Sequence, residues 1–260
     1  MPINISEKAS AINSTAESAL RAAIMVIEKG GSTEYADNVF RRIISKSGAK
    51  DVAVMWRLDN VIMSYSDGEN TSTLVKPVKG IGTDLTAVSE IIELSEDIFE
   101  GKKELSSLNN EIERISRLKP LHSSLTLIIT AAFAAAFYSK FHDGSIADVS
   151  MVFLSAVIGQ TLRIKLKRKE MNDGMITLIC GLLSAGITSI VLHLGYGKVD
   201  MPTMIGSLIY LVPGLLMINA FVDMTRQKFI FIGTQRIVNA LFLFMILALD
   251  ILVAYTFIKL

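Results

Sequence analysis

Hydrophobic and polar positions change their period twice along the first half of the chain. Between residues 16 and 29, Ala19, Leu20, Ala23, Ile24 and Ile27 recur at helical spacing, and Gly30-Gly31 closes the run. Ser32 or Thr33 can cap a second helix reaching Ser45, with Glu34 near its positive end and Val39, Ile43 and Ile44 as its buried stripe. The pattern then alternates. Val52-Ala53-Val54-Met55-Trp56 and Val61-Ile62-Met63-Ser64-Tyr65 read as strands separated by the turn pair Asp59-Asn60. Ser66-Asp67-Gly68 makes the next turn, and residues 72–78 a third strand. Helical spacing returns at Leu85, Val88, Ile91, Ile92, Leu94 and Ile98, and a charged helix over 105–118 leads to Pro120.

Beyond Pro120, polar positions thin out in five windows, at roughly 121–138, 146–162, 175–194, 202–222 and 238–258. Each approaches the length needed to cross about 30 Å of hydrocarbon. Backbone amides in lipid must find partners within their own segment, so these windows must be helices. The second is the shortest, with Gln160 and Arg163 crowding its end. The chain therefore reads as a membrane protein: a small cytoplasmic α+β domain over residues 1–120, then a five-helix transmembrane bundle over 121–260. Many transporters pair two repeats of inverted topology. Five helices match one such half, which implies an oligomer or a second membrane subunit.

Charge sharpens this division. Residues 1–120 carry 15 Lys/Arg and 18 Asp/Glu, whereas residues 121–260 carry 11 and 7, so a charge-rich half precedes a charge-poor one. Glu7, Lys8 and Glu17 precede a short apolar stretch that Arg21 interrupts, and no cleavage site follows, so the N-terminus does not read as a secretory signal. Basic residues set the orientation. Arg163, Lys165, Lys167, Arg168 and Lys169 follow the second window, Arg226, Lys228 and Arg236 follow the fourth, and Arg114, Arg117 and Lys119 precede the first. The opposite side holds only Lys140, Lys198 and Lys259. This predicts a multi-pass membrane protein with the N-terminus cytoplasmic and the C-terminus outside. The basic cluster at 163–169 reads as an orientation signal in contact with lipid headgroups.

Candidate chemistry lies in the apolar half. Pro213-Gly214 falls inside the fourth window, where proline removes a helical hydrogen bond. Backbone groups freed there can bind a polar substrate, or mark only a kink. Asn219 and Asp223 lie four residues apart on one helix face. Asp223 can meet a substrate amine or a proton, or pair with Arg226 or Arg236; Asn219 can contact a carboxylate. Arg236 suits a substrate carboxylate or an inside anchor. Asp148 opens the second window, as an outer proton site or as an ordinary helix-start acid. Asp250 falls near the middle of the fifth window, where a charged side chain costs at least ~2.5–3.5 kcal/mol. It is a candidate proton-coupling carboxylate, or a group hydrogen-bonded across helices. His193 at the outer end of the third window reads as interfacial. Gly80-Ile81-Gly82 lacks the third glycine and the strand context of a nucleotide loop, and no nucleophile elbow or metal spacing occurs. The single Cys180 has no disulfide partner. Neither a catalytic constellation nor a cofactor, metal or nucleic-acid partner is expected.

The run Val212-Pro213-Gly214, followed by Asn219-Ala220 and Asp223, resembles the fourth-helix motif of the threonine/serine exporter family. Gly233, Arg236 and Ala240 continue the pattern, and the double glycine, Arg41-Arg42 and the strands resemble its N-terminal domain, over about residues 15–250. The likeness is strongest to the YjjP-like branch, in which this half is a separate chain and a component of a bacterial succinate exporter. It implies a secondary exporter of small carboxylates, such as the dicarboxylate succinate, or of threonine and serine. Proton antiport would drive it, and a small YjjB-like membrane subunit would be its partner. The competing reading is a membrane-anchored sensor or regulatory protein whose cytoplasmic domain binds a ligand.

Overall fold

The computed structural model describes residues 5–197 and 201–259, with side chains described from Ser10 to Thr256 outside that gap. Lys198 and the side chains of Glu7, Lys8 and Lys259, used above for the N-terminus and orientation, lie outside the described part. The elements run α1 (Ile5–Glu28), α2 (Thr33–Ile44), β1 (Lys50–Trp56), β2 (Asn60–Ser66), β3 (Thr71–Pro77), α3 (Leu85–Glu100) and α4 (Leu108–Ser116). Then follow α5 (Ser124–Phe141), α6 (Ile146–Lys167), α7 (Asp173–His193), α8 (Met201–Gly206), α9 (Gly214–Met224) and α10 (Ile230–Lys259).

The chain forms two compact units. One joins the residues up to Leu121 to Leu215–Val238; the other joins His122–Gly214 to Asn239–Leu260. In the first unit, Ser32 caps α2 by accepting from the Tyr35 amide, and Asp84 caps α3 through the Ala87 amide. The three strands make an antiparallel meander in the order β1-β2-β3. Val61, Met63 and Tyr65 alternate inward from the central strand. They join a core built from Ala19, Leu20, Val26 and Ile27 of α1, Val39, Phe40 and Ile43 of α2, and Ile91 and Leu94 of α3. Phe229 and Ile232, distant in sequence, belong to the same core.

Among the described residues, four helical stretches are long and apolar enough to cross a membrane: Ser124–Phe141, Ile146–Lys167, Asp173–His193 and Gln227–Thr256. The second runs five residues past the window expected for it, so Arg163, Lys165 and Lys167 stand on α6 rather than in a loop. The window at 202–222 is not one continuous helix. It consists of α8, a short 3₁₀ turn at Ile209–Leu211 and α9. The reason is local: Pro213 has no N–H to give the Ile209 carbonyl, which accepts from Val212 instead, and Val212 leaves the helical region at φ −59°, ψ 127°.

Candidate functional site

Two buried polar clusters stand out, one in each unit. In the first unit, Gly30 takes φ +91°, and a side chain there would press on the Gly82 carbonyl. The turn it makes leaves the carbonyls of Gly30 and Gly31 and the start of α2 open to side chains. Asn219 Nδ2 donates to Gly30 O at 2.9 Å. Thr33 donates twice to Asp223, from Oγ1 to Oδ2 at 2.8 Å and from its backbone N–H to Oδ1 at 3.3 Å. Arg236 Nη2 donates to Gly31 O at 3.3 Å, and its Nε lies 3.4 Å from Asp223 Oδ2. Asp223 and Arg236 come together because Gly233 lets α10 run close against α9; a Cβ there would sit 2.8 Å from Met224 Cγ.

This pair is fully buried, with side-chain exposures of 0% for Asp223 and 2% for Arg236. Such a pair offsets its desolvation best when its remaining donors and acceptors are satisfied. Asp223 is well served, but Arg236 is not. Its Nε is poorly aligned for a hydrogen bond, and Nη1 has no partner among the described residues. Arg236 therefore retains donor capacity in a buried site.

Beside this cluster, Asp37 on α2 accepts from Trp56 Nε1 at 3.1 Å, Arg41 Nε at 2.7 Å and Lys228 Nζ at 2.5 Å. Burial would raise its pKa, but the bonds from Lys228, Arg41 and Trp56 outweigh that and hold the carboxyl below its usual range. Arg226 pairs with Glu34 at 2.7 Å. Thr33 carries no sequence signal for its role, because Asp223 lies 190 residues away in the chain. Of the partners of Asp37, Arg41 lies one helical turn away, whereas Lys228 is 191 residues distant.

In the second unit, the carbonyl of Tyr210 is freed by the interruption. In a continuous helix it would accept from the Gly214 amide, but Gly214 N–H turns to Val212 O at 2.9 Å. Arg163 Nη1 takes the freed carbonyl instead, at 2.6 Å. The Tyr210 hydroxyl shares a hydrogen bond with Ser184 Oγ at 2.8 Å and reaches Cys180 O at 3.4 Å. Ser155 Oγ donates to Ser184 O at 2.8 Å, and Ser189 Oγ to Ala254 O at 2.6 Å. A Cβ at Gly159 would overlap both the Tyr210 hydroxyl and Ser184 Oγ. The small residues of α6 and α7 thus open a strip of buried hydroxyls between apolar helices.

Asp250 faces the same strip. It is 0% exposed, and among the described residues neither carboxylate oxygen has a hydrogen-bond partner. A Cβ at Gly181 would overlap Asp250 Oδ2, so the carboxylate occupies the place a larger residue would fill. The other expected residues have plainer surroundings. Asp148 forms a reciprocal capping box with Ser145, accepting from its N–H at 2.8 Å and its hydroxyl at 2.7 Å. Nothing crowds the space a Cβ on Gly214 would take. The basic cluster at the C-terminal end of α6 divides: Arg163 turns onto the interruption, whereas Arg168 and Lys169 stay exposed.

The model of the threonine/serine exporter family (ThrE) matches residues 17–258. Among curated proteins, the chain is 22% identical over 212 residues to a probable succinate transporter subunit, YjjP, of Klebsiella aerogenes, covering 80% of each chain. No solved structure matches. With four apolar spans among the described residues and a family match across nearly its whole length, this chain is a multi-pass membrane transport protein belonging to the threonine/serine exporter family.

Proposed function

We propose that the chain is one subunit of a secondary exporter that moves small carboxylates or hydroxy amino acids out of a bacterial cell in exchange for protons. The observation that carries this reading is Asp250: a fully buried carboxylate without a hydrogen-bond partner among the described residues, inside an apolar helix. An unpaired charge there is costly and is retained where it binds something. A proton is the simplest ligand that removes its charge, and the neighbouring hydroxyls of Tyr210 and Ser184 supply a polar route.

In this reading five segments cross the membrane. The fourth crosses as two half-helices, α8 and α9, flanking the interruption at Pro213-Gly214. The N-terminal domain is cytoplasmic and the C-terminus outside, in keeping with the basic residues on α6 and around α9. Asn219, Asp223 and Arg236 form an inner station, where the open donors of Arg236 suit a substrate carboxylate and Asp223 an amine or proton. Asp148 holds the outer start of α6. Half of an inverted-repeat carrier needs its other half, supplied by a small YjjB-like subunit or by further copies of this chain. The relative's name supports a subunit role and a succinate-like substrate, and the family's name supports threonine or serine.

The test is efflux from cells lacking the chain, loaded with succinate or with a threonine dipeptide. Restoring the chain should restore outward flux of at least one carboxylate, and Asp250→Asn should fail to restore it against a gradient. Unchanged efflux of every carboxylate with and without the chain rules the reading out.

A further inference from the structure

Resting on the exporter reading, we infer that Arg163 is the residue that receives the substrate's carboxylate in the membrane unit, exchanging it for the Tyr210 carbonyl. Three features of the structure lead there. First, Arg163 has no acidic partner within ion-pair distance among the described residues, and its one hydrogen bond there goes to a neutral backbone oxygen. A guanidinium offers five donors in a planar fork, so most of its capacity is open. Second, its acceptor exists only because the helix is interrupted. Regularising the segment would give the Tyr210 carbonyl the Gly214 amide and release Arg163 altogether. The arginine thus has two alternatives of similar chemistry, a carbonyl or a carboxylate, and the carboxylate is the stronger acceptor.

Third, the surroundings hold matching vacancies in hydrogen bonding. Gln160, one turn earlier on the same face of α6, has a buried Oε1 without a partner among the described residues. The Tyr210 side chain runs from the Arg163-bound carbonyl to the Ser184 hydroxyl and Cys180 carbonyl, next to the Gly181 position that Asp250 faces. A small molecule whose carboxylate takes Arg163 has the unpaired Gln160 Oε1 one turn away to accept from a donor group of its own. Arginine, not lysine, fits this task, since a bidentate fork fixes the carboxylate's plane as well as its charge.

The test is thermal stabilisation of the purified full chain titrated with L-threonine, succinate, and their amides threoninamide and succinamide. A ligand that binds only the folded state raises its melting temperature. One of the two acids should stabilise the wild-type chain, and its amide should not; which acid does so identifies the substrate's other end. Arg163→Gln should need about tenfold or more of that acid for the same effect, as expected for loss of a charged hydrogen bond. Arg163→Lys should recover part of the loss, and its melting temperature without ligand should stay near wild type. The inference is overturned if Arg163→Gln or Arg163→Lys responds at the wild-type concentration, if the amides stabilise as well as the acids, or if no acid stabilises the wild type. The same variants measured in cellular efflux separate the two claims. Efflux by Arg163→Gln with unchanged half-saturation removes this site and leaves the exporter reading standing, whereas absence of wild-type efflux removes the exporter reading itself.

Discussion

Asp250 and Gly181 form a pair whose dependence can be measured. The carboxylate fills the space where a Cβ on Gly181 would stand. Gly181→Ala should therefore destabilise the chain by about 1–3 kcal/mol, the usual cost of overpacking a close-packed interior. Adding Asp250→Ala should recover most of that loss, because the obstructing oxygen is gone. Additive losses in chemical unfolding would show that the two residues do not share the space. A second residue-scale test concerns Asp37, whose pKa is lowered despite burial by Lys228, Arg41 and Trp56. A lowered native pKa means that the unfolded chain binds its proton more readily. The stabilisation is thus present above the ordinary aspartate value of about 3.9 and disappears as pH falls through the native one. Trp56 is the only tryptophan and donates to this carboxylate. Its fluorescence should stay constant from neutral pH down to about 4 and change only below that. Asp37→Asn should remove the acid transition and cost about 1–3 kcal/mol of stability.

At the scale of elements, the interruption at Pro213 decides how the fourth apolar segment is built. Pro213→Ala restores a donor for the Ile209 carbonyl and lets Gly214 return to Tyr210. The substitution should raise thermal stability and lower maximal efflux, since the break is lost; unchanged efflux would make the break dispensable. Much of this level was legible in the chain. The meander follows from alternating Val61, Met63 and Tyr65, and the ends of α1 and α2 follow from Gly30-Gly31 and Ser32. The proline also marks where the fourth window breaks. What the pattern did not disclose is the continuation of α6 through Arg163, because a basic run at the end of an apolar window looks alike on a helix and in a loop. The pairing of Asp223 with Arg236 was one of the alternatives the spacing offered, but their partners at the start of α2 were not legible. A local period carries information about a residue's own element, and Thr33 and Gly31 lie far off in sequence.

At the scale of the whole molecule, the family match and the apolar spans make this a membrane transport protein, and Asp250 gives its proposed coupling a definite atom to act on. The proposed topology places the exposed Lys169 and Thr225 on the cytoplasmic side and Tyr196 on the opposite one. Cysteines introduced at the first two positions should react with an impermeant reagent only in inverted vesicles, and one at Tyr196 only in intact cells. A shared pattern at all three would overturn the five-crossing scheme. The coupling claim itself is tested most directly in vesicles containing the purified chain together with the proposed membrane partner. An imposed proton gradient should drive accumulation of labelled threonine or succinate by the wild type. Asp250→Asn should lose the gradient's effect while still exchanging substrate across the membrane. Gradient-driven accumulation by Asp250→Asn equal to that of the wild type would contradict the account.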